Sequence, residues 1–207
     1  MDANTIRRHV TNCVDRLCTD FGTCPNSLLT EDDMRVRLGA LLLEHFGTHQ
    51  RTEDGDSSIP LHSEVRWYGN GRLKYRSDLV VIDVGTLRVR NVGGLQLPSK
   101  GYGFNVPKAI IELKFRRPTG ESDRAFIESI EADCAKLRTI RSQLSEETPR
   151  LACWVVAFDK KGDVTTRVPT GHGATVVYKS SGSAEDTHRP EQPVSIPPEL
   201  RRDDGRN

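Results

Sequence analysis

The sequence predicts a mixed α/β fold, in which helices flank a central β-sheet. Apolar residues recur at helical spacing in three segments, two near the N-terminus and one over residues 122–144. Short apolar runs rich in β-branched residues, such as Leu79–Ile82 and Leu151–Phe158, are typical of buried strands. The order of helix, strands, helix and strand favours one mixed sheet. The 207 residues suffice for one domain, and an apolar content of 35% indicates that part of the chain is disordered.

The N-terminal region contains two predicted helices. The first covers residues 4–20 and ends before Gly22 and Pro25. Its apolar face consists of Ile6, Val10, Cys13, Val14, Leu17 and Phe21. The second begins after Thr30, a good N-cap, and ends near Gly47. Its first turn is acidic, as the helix dipole favours: Glu31, Asp32 and Asp33. The polar residues that follow, 48–60, are predicted to form a loop.

A β-hairpin is predicted next. Glu64–Tyr68 forms its first strand, residues 69–71 (Gly-Asn-Gly) supply a turn with positive φ, and Arg72–Asp83 is a long returning strand. Residues 86–91 are expected either to continue that strand or to add a short one. Residues 93–107 then form an excursion punctuated by Gly and Pro.

The second half of the chain continues with a strand over Lys108–Phe115 and the longest helix over residues 122–144. Leu151–Phe158 is apolar throughout, which is typical of a central strand covered on both faces. Gly173–Tyr178 is the last predicted strand. Residues 180–207 contain little to bury and are expected to be disordered.

Several classes of protein and site are disfavoured by the sequence. A run of about 18 apolar residues does not occur, which argues against a membrane-spanning helix. The N-terminus has no secretion signal, so a cytoplasmic location is expected. Five cysteines without a Cys-x-x-Cys pair or a nearby histidine are expected to be reduced thiols rather than zinc ligands. The six histidines are too scattered to predict a metal site.

Positive charge is concentrated in the middle of the chain. The net charge is +1, yet residues 65–117 contain eleven basic and three acidic residues, a local excess of eight positive charges. A positive region around candidate metal-binding carboxylates suits a polyanionic phosphate backbone. The alternative is that a strand-rich surface simply carries Lys and Arg.

The candidate site lies on two of the predicted strands. Because side chains alternate along a strand, Glu112 and Lys114 share one face, opposite that of Ile111, Leu113 and Phe115. Asp78 opens the other apolar run. Two carboxylates and a lysine on neighbouring strands can hold a hard divalent cation and hydrolyse a phosphodiester. The alternative is a surface cross-strand pair worth less than about 1 kcal/mol.

Asp78 followed by Glu112-Leu113-Lys114 resembles the D…(D/E)xK signature of the PD-(D/E)XK nuclease superfamily, over roughly residues 28–158. The resemblance implies a restriction-endonuclease-like αβββαβ core. It divides the chain into one nuclease-like domain, residues 1–179, and a disordered tail, residues 180–207. Within the domain, the N-terminal helices cover residues 4–46 and the catalytic core about residues 62–160.

Two departures from the signature are visible. Ser77 stands where the superfamily's name has proline. Asp78 and Glu112 are 34 positions apart, so residues 85–107 must be inserted between their strands. This long separation makes Asp83 a rival for the metal-binding aspartate, although Asp78 is preferred because its apolar strand follows it immediately.

The resemblance also implies roles for individual residues. Mg²⁺, for which Mn²⁺ is expected to substitute, would be bound by Asp78, Glu112 and the backbone carbonyl of Leu113. Lys114 would orient the attacking water and stabilise the charge added to the phosphate. Glu31 matches an acidic residue of the preceding helix, with service to the helix dipole as its alternative role.

The helix after the lysine strand carries a further match. Asp133 and Lys136 fit an acidic–x–x–Lys run found in the superfamily at this point, but are expected to lie on the helix surface.

The expected function is therefore that of a Mg²⁺-dependent endodeoxyribonuclease, acting in restriction, defence or DNA repair. DNA is the expected partner, RNA and a homodimer are left open, and a membrane is not expected. The residues predicted to contact nucleic acid are Arg76, Arg88, Arg90, Lys100, Lys108, Arg116 and Arg117. The alternative is a catalytically inactive module of the same fold that binds nucleic acid or protein.

Overall fold

The computed structural model describes residues 1–69, 72–87, 106–144, 150–169 and 173–183. Within these ranges the chain forms three α-helices, α1 (Ala3–Thr23), α2 (Glu31–Phe46) and α3 (Asp123–Gln143). The strands are β1 (Gln50–Arg51), β2 (Ser57–Ser58), β3 (Leu61–Gly69), β4 (Arg72–Ile82), β5 (Pro107–Arg116), β6 (Ala152–Asp159) and β7 (Thr175–Ser180). None of the helices in these ranges is long and apolar enough to cross a membrane.

Local sequence signals account for the helix boundaries. The Asp2 side chain caps α1 by accepting the backbone N–H groups of Asn4 and Thr5. Thr30 caps α2 in a reciprocal arrangement: its side chain accepts the N–H of Asp33, and the Asp33 carboxylate accepts the N–H of Thr30. Ser122 caps α3 by accepting the N–H of Ala125. The three predicted helices are therefore confirmed.

The sheet confirms the predicted mixed α/β class. Its five strands lie in the order β3-β4-β5-β6-β7, and the first three are antiparallel neighbours. The pairs β5–β6 and β6–β7 are parallel, with α3 joining β5 to β6. From α2 to β6, the five-stranded sheet and its helices follow the order α-β-β-β-α-β.

Several elements differ from the predictions, and β3 begins at Leu61, three residues before the predicted start at Glu64. Within the predicted loop of residues 48–60, β1 and β2 pair as a short antiparallel ribbon. The β4 strand ends at Ile82, and Val84–Thr86 turns as a 3₁₀-helix, whereas most of the strand predicted over residues 86–91 lies outside the described ranges. The last strand begins at Thr175, and residues 181–183 still form a 3₁₀ turn. The predicted excursion largely coincides with residues 88–105, which lie outside the described ranges, as do residues 184–207 of the predicted disordered tail.

The sheet separates two apolar layers. Leu79, Val81, Ile111 and Leu113 pack on one face against α1 and α2. Val80, Ile82 and Ile110 pack on the other face against α3. Every residue of β6 is buried, as predicted for a strand covered on both sides. Each large side chain buried in these layers contributes about 1.5–3 kcal/mol.

The strands β3 and β4 each change the face of the sheet towards which their apolar side chains point, part-way along their length. On β3, Leu61 packs with α1 and α2, whereas Val65 packs in the layer of α3. On β4, Leu79 belongs to the first layer, whereas Tyr75 contacts the second. Strict alternation would keep each of these pairs on one face. The irregularity brings polar residues of both strands to the same place, where the candidate site lies.

Candidate active site

The candidate site lies at a fork between β4 and β5. The pairing of β4 with β5 begins at Ile82 opposite Pro107 and ends at Leu79 opposite Ile111. The pairing of β5 with β6 continues further, as far as Arg116. Just beyond the last β4–β5 pair, Asp78 Oδ2 accepts the backbone N–H of Leu113 at 2.8 Å. The fold therefore brings Asp78 directly against the residue that separates Glu112 from Lys114.

Glu112 is an almost completely buried carboxylate, with 1% of its surface exposed. Its Oε2 atom accepts a hydrogen bond of 2.7 Å from Lys136 Nζ. Its Oε1 atom is buried and accepts no hydrogen bond of good geometry in the described part of the chain, although the nearby Ser77 hydroxyl helps to lower the pKa of Glu112. Burial raises the pKa of Glu112 to about 7, and the attraction of Lys136 only partly opposes this rise.

Lys114 is held in place from α3. Its Nζ lies 2.9 Å from Asp133 Oδ2, and Asp133 Oδ1 lies 3.0 Å from Lys136 Nζ. Glu112, Lys136, Asp133 and Lys114 thus form a row of alternating charges. Burial by itself lowers the pKa of Lys114, but Asp133, together with the charges of Glu31 and Asp78, outweighs it and leaves the pKa above its usual value. Lys114 is therefore cationic at neutral pH.

Arg35 of α2 occupies the other side of Asp78. Its Nη2 atom donates to Asp78 Oδ1 at 2.9 Å and lies 3.1 Å from Glu64 Oε1. Its Nη1 atom pairs with Asp32, and Glu31 lies 3.9 Å from Nη2. One guanidinium group is therefore shared among four carboxylates.

The structure brings the four predicted catalytic residues to one region. Asp78, Glu112 and Lys114 meet at the fork, and Glu31 enters it from the first turn of α2. Glu31 Oε1 lies 3.9 Å from Arg35 Nη2, the atom that donates to Asp78; burial raises the pKa of Glu31, and the positive charge of Lys114 opposes this rise. The backbone carbonyl of Leu113 as a metal ligand stays a prediction.

The rival aspartate, Asp83, is excluded from this site by its position. It lies beyond the opposite end of β4, where its Oδ2 pairs with Lys108 at 2.9 Å. Its Oδ1 accepts the N–H of Gly85, so that Asp83 caps the 3₁₀ turn after β4.

The prediction that Asp133 and Lys136 lie on the helix surface is wrong. Asp133 is 7% exposed and the Lys136 side chain 17%, and both contact the site. Arg35 and Glu64 were not predicted at all. The spacing of Glu31 and Arg35 on α2 is the one local signal that could have found Arg35, because residues four apart share a helix face.

The prediction that Arg116 contacts nucleic acid is also wrong. Its side chain is fully buried and pairs with both Asp159 and Asp123, above the ring of Phe126. The hydrogen bonds to Asp159, the largest effect, raise the pKa of Arg116 further above its usual value. A guanidinium group with these partners stabilises the junction of β5, β6 and α3 and cannot reach a phosphate.

The remaining predicted contacts with nucleic acid have different environments. Lys108 pairs with Asp83 at the end of β5 remote from the fork, and Arg76 pairs with Glu64 at 2.8 Å while 60% of its side chain stays exposed. Arg117 is exposed. Arg88, Arg90 and Lys100 lie outside the described ranges.

The balance of charges around the fork differs from the positive excess of residues 65–117. Six carboxylates meet four cationic side chains there: Glu31, Asp32, Glu64, Asp78, Glu112 and Asp133, with Arg35, Arg76, Lys114 and Lys136. The helices α2 and α3 contribute acidic groups that residues 65–117 do not contain. Among the described residues, no group of three or more His, Cys, Asp or Glu side chains is arranged to hold a metal ion. A site at the fork would consist of two carboxylates and a backbone carbonyl.

Two carboxylates and a charged lysine therefore meet at the fork between β4 and β5. Comparison of the chain with protein families, curated proteins and solved structures gives no match. The function is therefore inferred from the residues and distances at the fork.

Proposed function

We propose that this protein is a Mg²⁺-dependent endonuclease that hydrolyses phosphodiester bonds of DNA. The observation that carries the proposal is the fork itself: Asp78 contacts the backbone between Glu112 and Lys114, and these three residues come from two neighbouring strands. The same residues carry the resemblance to the PD-(D/E)XK nucleases, and the order α-β-β-β-α-β agrees with it.

The donor atoms at the fork fit a hard divalent cation. Glu112 Oε1 is buried and accepts no hydrogen bond of good geometry in the described ranges, which is costly unless another group binds it. The N–H of Leu113 points to Asp78, and the N–H and C=O of one strand residue project to the same side, so the Leu113 carbonyl also faces β4. Two carboxylates and this carbonyl are ligands that Mg²⁺ accepts while it keeps several waters. Bound Mg²⁺ would acidify water and neutralise charge on the phosphate.

The residues of the chain supply the rest of the chemistry. Lys114 is charged and only partly buried, so its ammonium can bind a phosphate oxygen and stabilise the charge that develops there. Asp133 orients Lys114 from α3. Lys136 stays beside Glu112 and stabilises its ionised form.

A specific observation favours the alternative, an inactive module that binds nucleic acid or protein. Asp78 and Glu112 each have a cationic partner within this chain, Arg35 and Lys136. Internal ion pairs of this kind could neutralise the site permanently. A divalent cation must then compete with Arg35 for Asp78 and with Lys136 for Glu112. Measuring both DNA cleavage and DNA binding distinguishes the two functions.

The test is cleavage of supercoiled plasmid and of single-stranded DNA with Mg²⁺, Mn²⁺ or EDTA. Lys114→Met removes the charge and keeps the aliphatic chain. Its matched control is Lys179→Met, which changes a half-buried lysine of the edge strand β7. Glu112→Gln is paired with Glu128→Gln, an exposed carboxylate of α3. The proposal expects metal-dependent nicking that falls at least about 100-fold in the two site variants and is unchanged in the controls.

The contrary results are equally specific. Wild-type protein that cuts nothing with either metal, yet shifts DNA on a gel in a salt-dependent way, would favour the binding module. Cleavage by the site variants at the wild-type rate would show that the fork is not the active site.

A further inference from the structure

Glu64 has an unusual backbone conformation for a strand residue. Its φ is 56°, the one positive value at a non-glycine residue in the described ranges. The β3–β4 ladder passes from Ser63 paired with Leu79 to Val65 paired with Ser77, so Glu64 lies opposite Asp78. Residues other than Gly, Asn and Asp rarely adopt this backbone conformation. Strained residues of this kind cluster at functional sites.

The conformation of Glu64 has a structural consequence. It coincides with the point at which β3 changes faces, between Leu61 and Val65. It also turns the Glu64 carboxylate towards two cations, with Oε1 3.1 Å from Arg35 and Oε2 2.8 Å from Arg76. Because Leu61 packs towards α1 and α2, regular alternation would direct Glu64 to the opposite face, away from Arg35 of α2.

Arg35 connects Glu64 to the proposed metal ligand. Both oxygens of Asp78 are engaged, Oδ2 by the N–H of Leu113 and Oδ1 by Arg35. A divalent cation and Arg35 therefore compete for Asp78. Glu64 offers the same guanidinium nitrogen another anionic partner, which weakens the hold of Arg35 on Asp78.

We infer that Glu64 is a positioning residue of the candidate site: its carboxylate shares Arg35 with Asp78, so that a divalent cation can displace Arg35 from Asp78 more easily. This inference rests on the proposed function. The positive φ of Glu64 directs its carboxylate at Arg35 from the strand next to Asp78.

The test measures Mn²⁺ affinity by isothermal titration calorimetry on the full chain. Glu64→Gln keeps the shape and removes the charge, and we expect its Kd for Mn²⁺ to rise about tenfold, because Arg35 then binds Asp78 more tightly. Glu64→Gly removes the same carboxylate but suits a positive φ, so its affinity should fall equally while its Tm stays at or above that of the wild type. Glu128→Gln serves as the control.

A double-variant cycle separates positioning from a general structural role. In an Arg35→Gln background, removal of the Glu64 carboxylate should change Mn²⁺ affinity less than twofold, because the cation that Glu64 shares with Asp78 is gone. Equal losses in both backgrounds, or wild-type affinity in Glu64→Gln, would overturn the inference. If wild type and Glu112→Gln bind Mn²⁺ alike, the proposed metal site itself fails and the inference fails with it.

Discussion

The burial of Glu112 leads to a prediction about stability. Its pKa rises from 4.5 to about 7 on folding, mainly because of burial. A carboxyl group with a raised pKa contributes stability below its unfolded pKa, and this contribution is lost as the pH rises through the folded pKa. A pKa that rises from 4.5 to about 7 means that the ionised form costs the folded state about 3 kcal/mol above pH 7.

Glu112→Gln should remove this cost, because the amide is neutral at every pH and has the same shape. We expect the variant to be more stable than the wild type by about 3 kcal/mol at pH 8, and the difference to vanish as the pH falls from 7 to 4.5. The same substitution should abolish metal-dependent cleavage, so that stability and activity change in opposite directions.

The assay is urea unfolding of both proteins between pH 4.5 and pH 8, with the difference in unfolding free energy plotted against pH. Titrating groups remote from Glu112 affect both proteins alike and cancel in the difference. A Glu112→Gln protein less stable than the wild type at pH 8 would refute the reasoning, because the attraction of Lys136 would then exceed the cost of burial.

Two further predictions concern neighbouring residues. Arg116→Met should lower the unfolding free energy by about 3–5 kcal/mol, because it leaves the buried Asp159 without its cation, whereas Arg117→Met should leave stability unchanged. Thermal unfolding distinguishes them, and equal Tm values would contradict the assignment of Arg116 to the core. Asp133→Asn should lower kcat for plasmid cleavage about 10–100-fold without raising KM, because Lys114 loses the charge that orients it. A variant in which only KM rises would indicate that Asp133 contributes to substrate binding instead.

Local sequence patterns determined the secondary structure and part of the site. Thr30 and Asp33 specify the start of α2 through side chains three residues apart, without help from the rest of the fold. Strand alternation placed Glu112 and Lys114 on the face of α3 and Leu113 on the opposite face. These features depend on short-range geometry, so the sequence alone predicts them.

The partners of the site residues were decided by tertiary structure. Arg35 and Lys136 come from helices on opposite faces of the sheet, and their charges reach Asp78 and Glu112 only after the layers pack. Strand alternation puts Arg116 on the face of Glu112 and Lys114, but its partners Asp159 and Asp123, which make it a core residue, are supplied only by the packing of β6 and α3.

The sequence by itself therefore determined the fold class and the strand face that Glu112 and Lys114 share, because both follow from periodicity. Tertiary structure decided which charges face one another, and it alone revealed the left-handed backbone of Glu64. Electrostatic partners depend on distances between segments far apart in the chain, and these distances exist only in the folded protein.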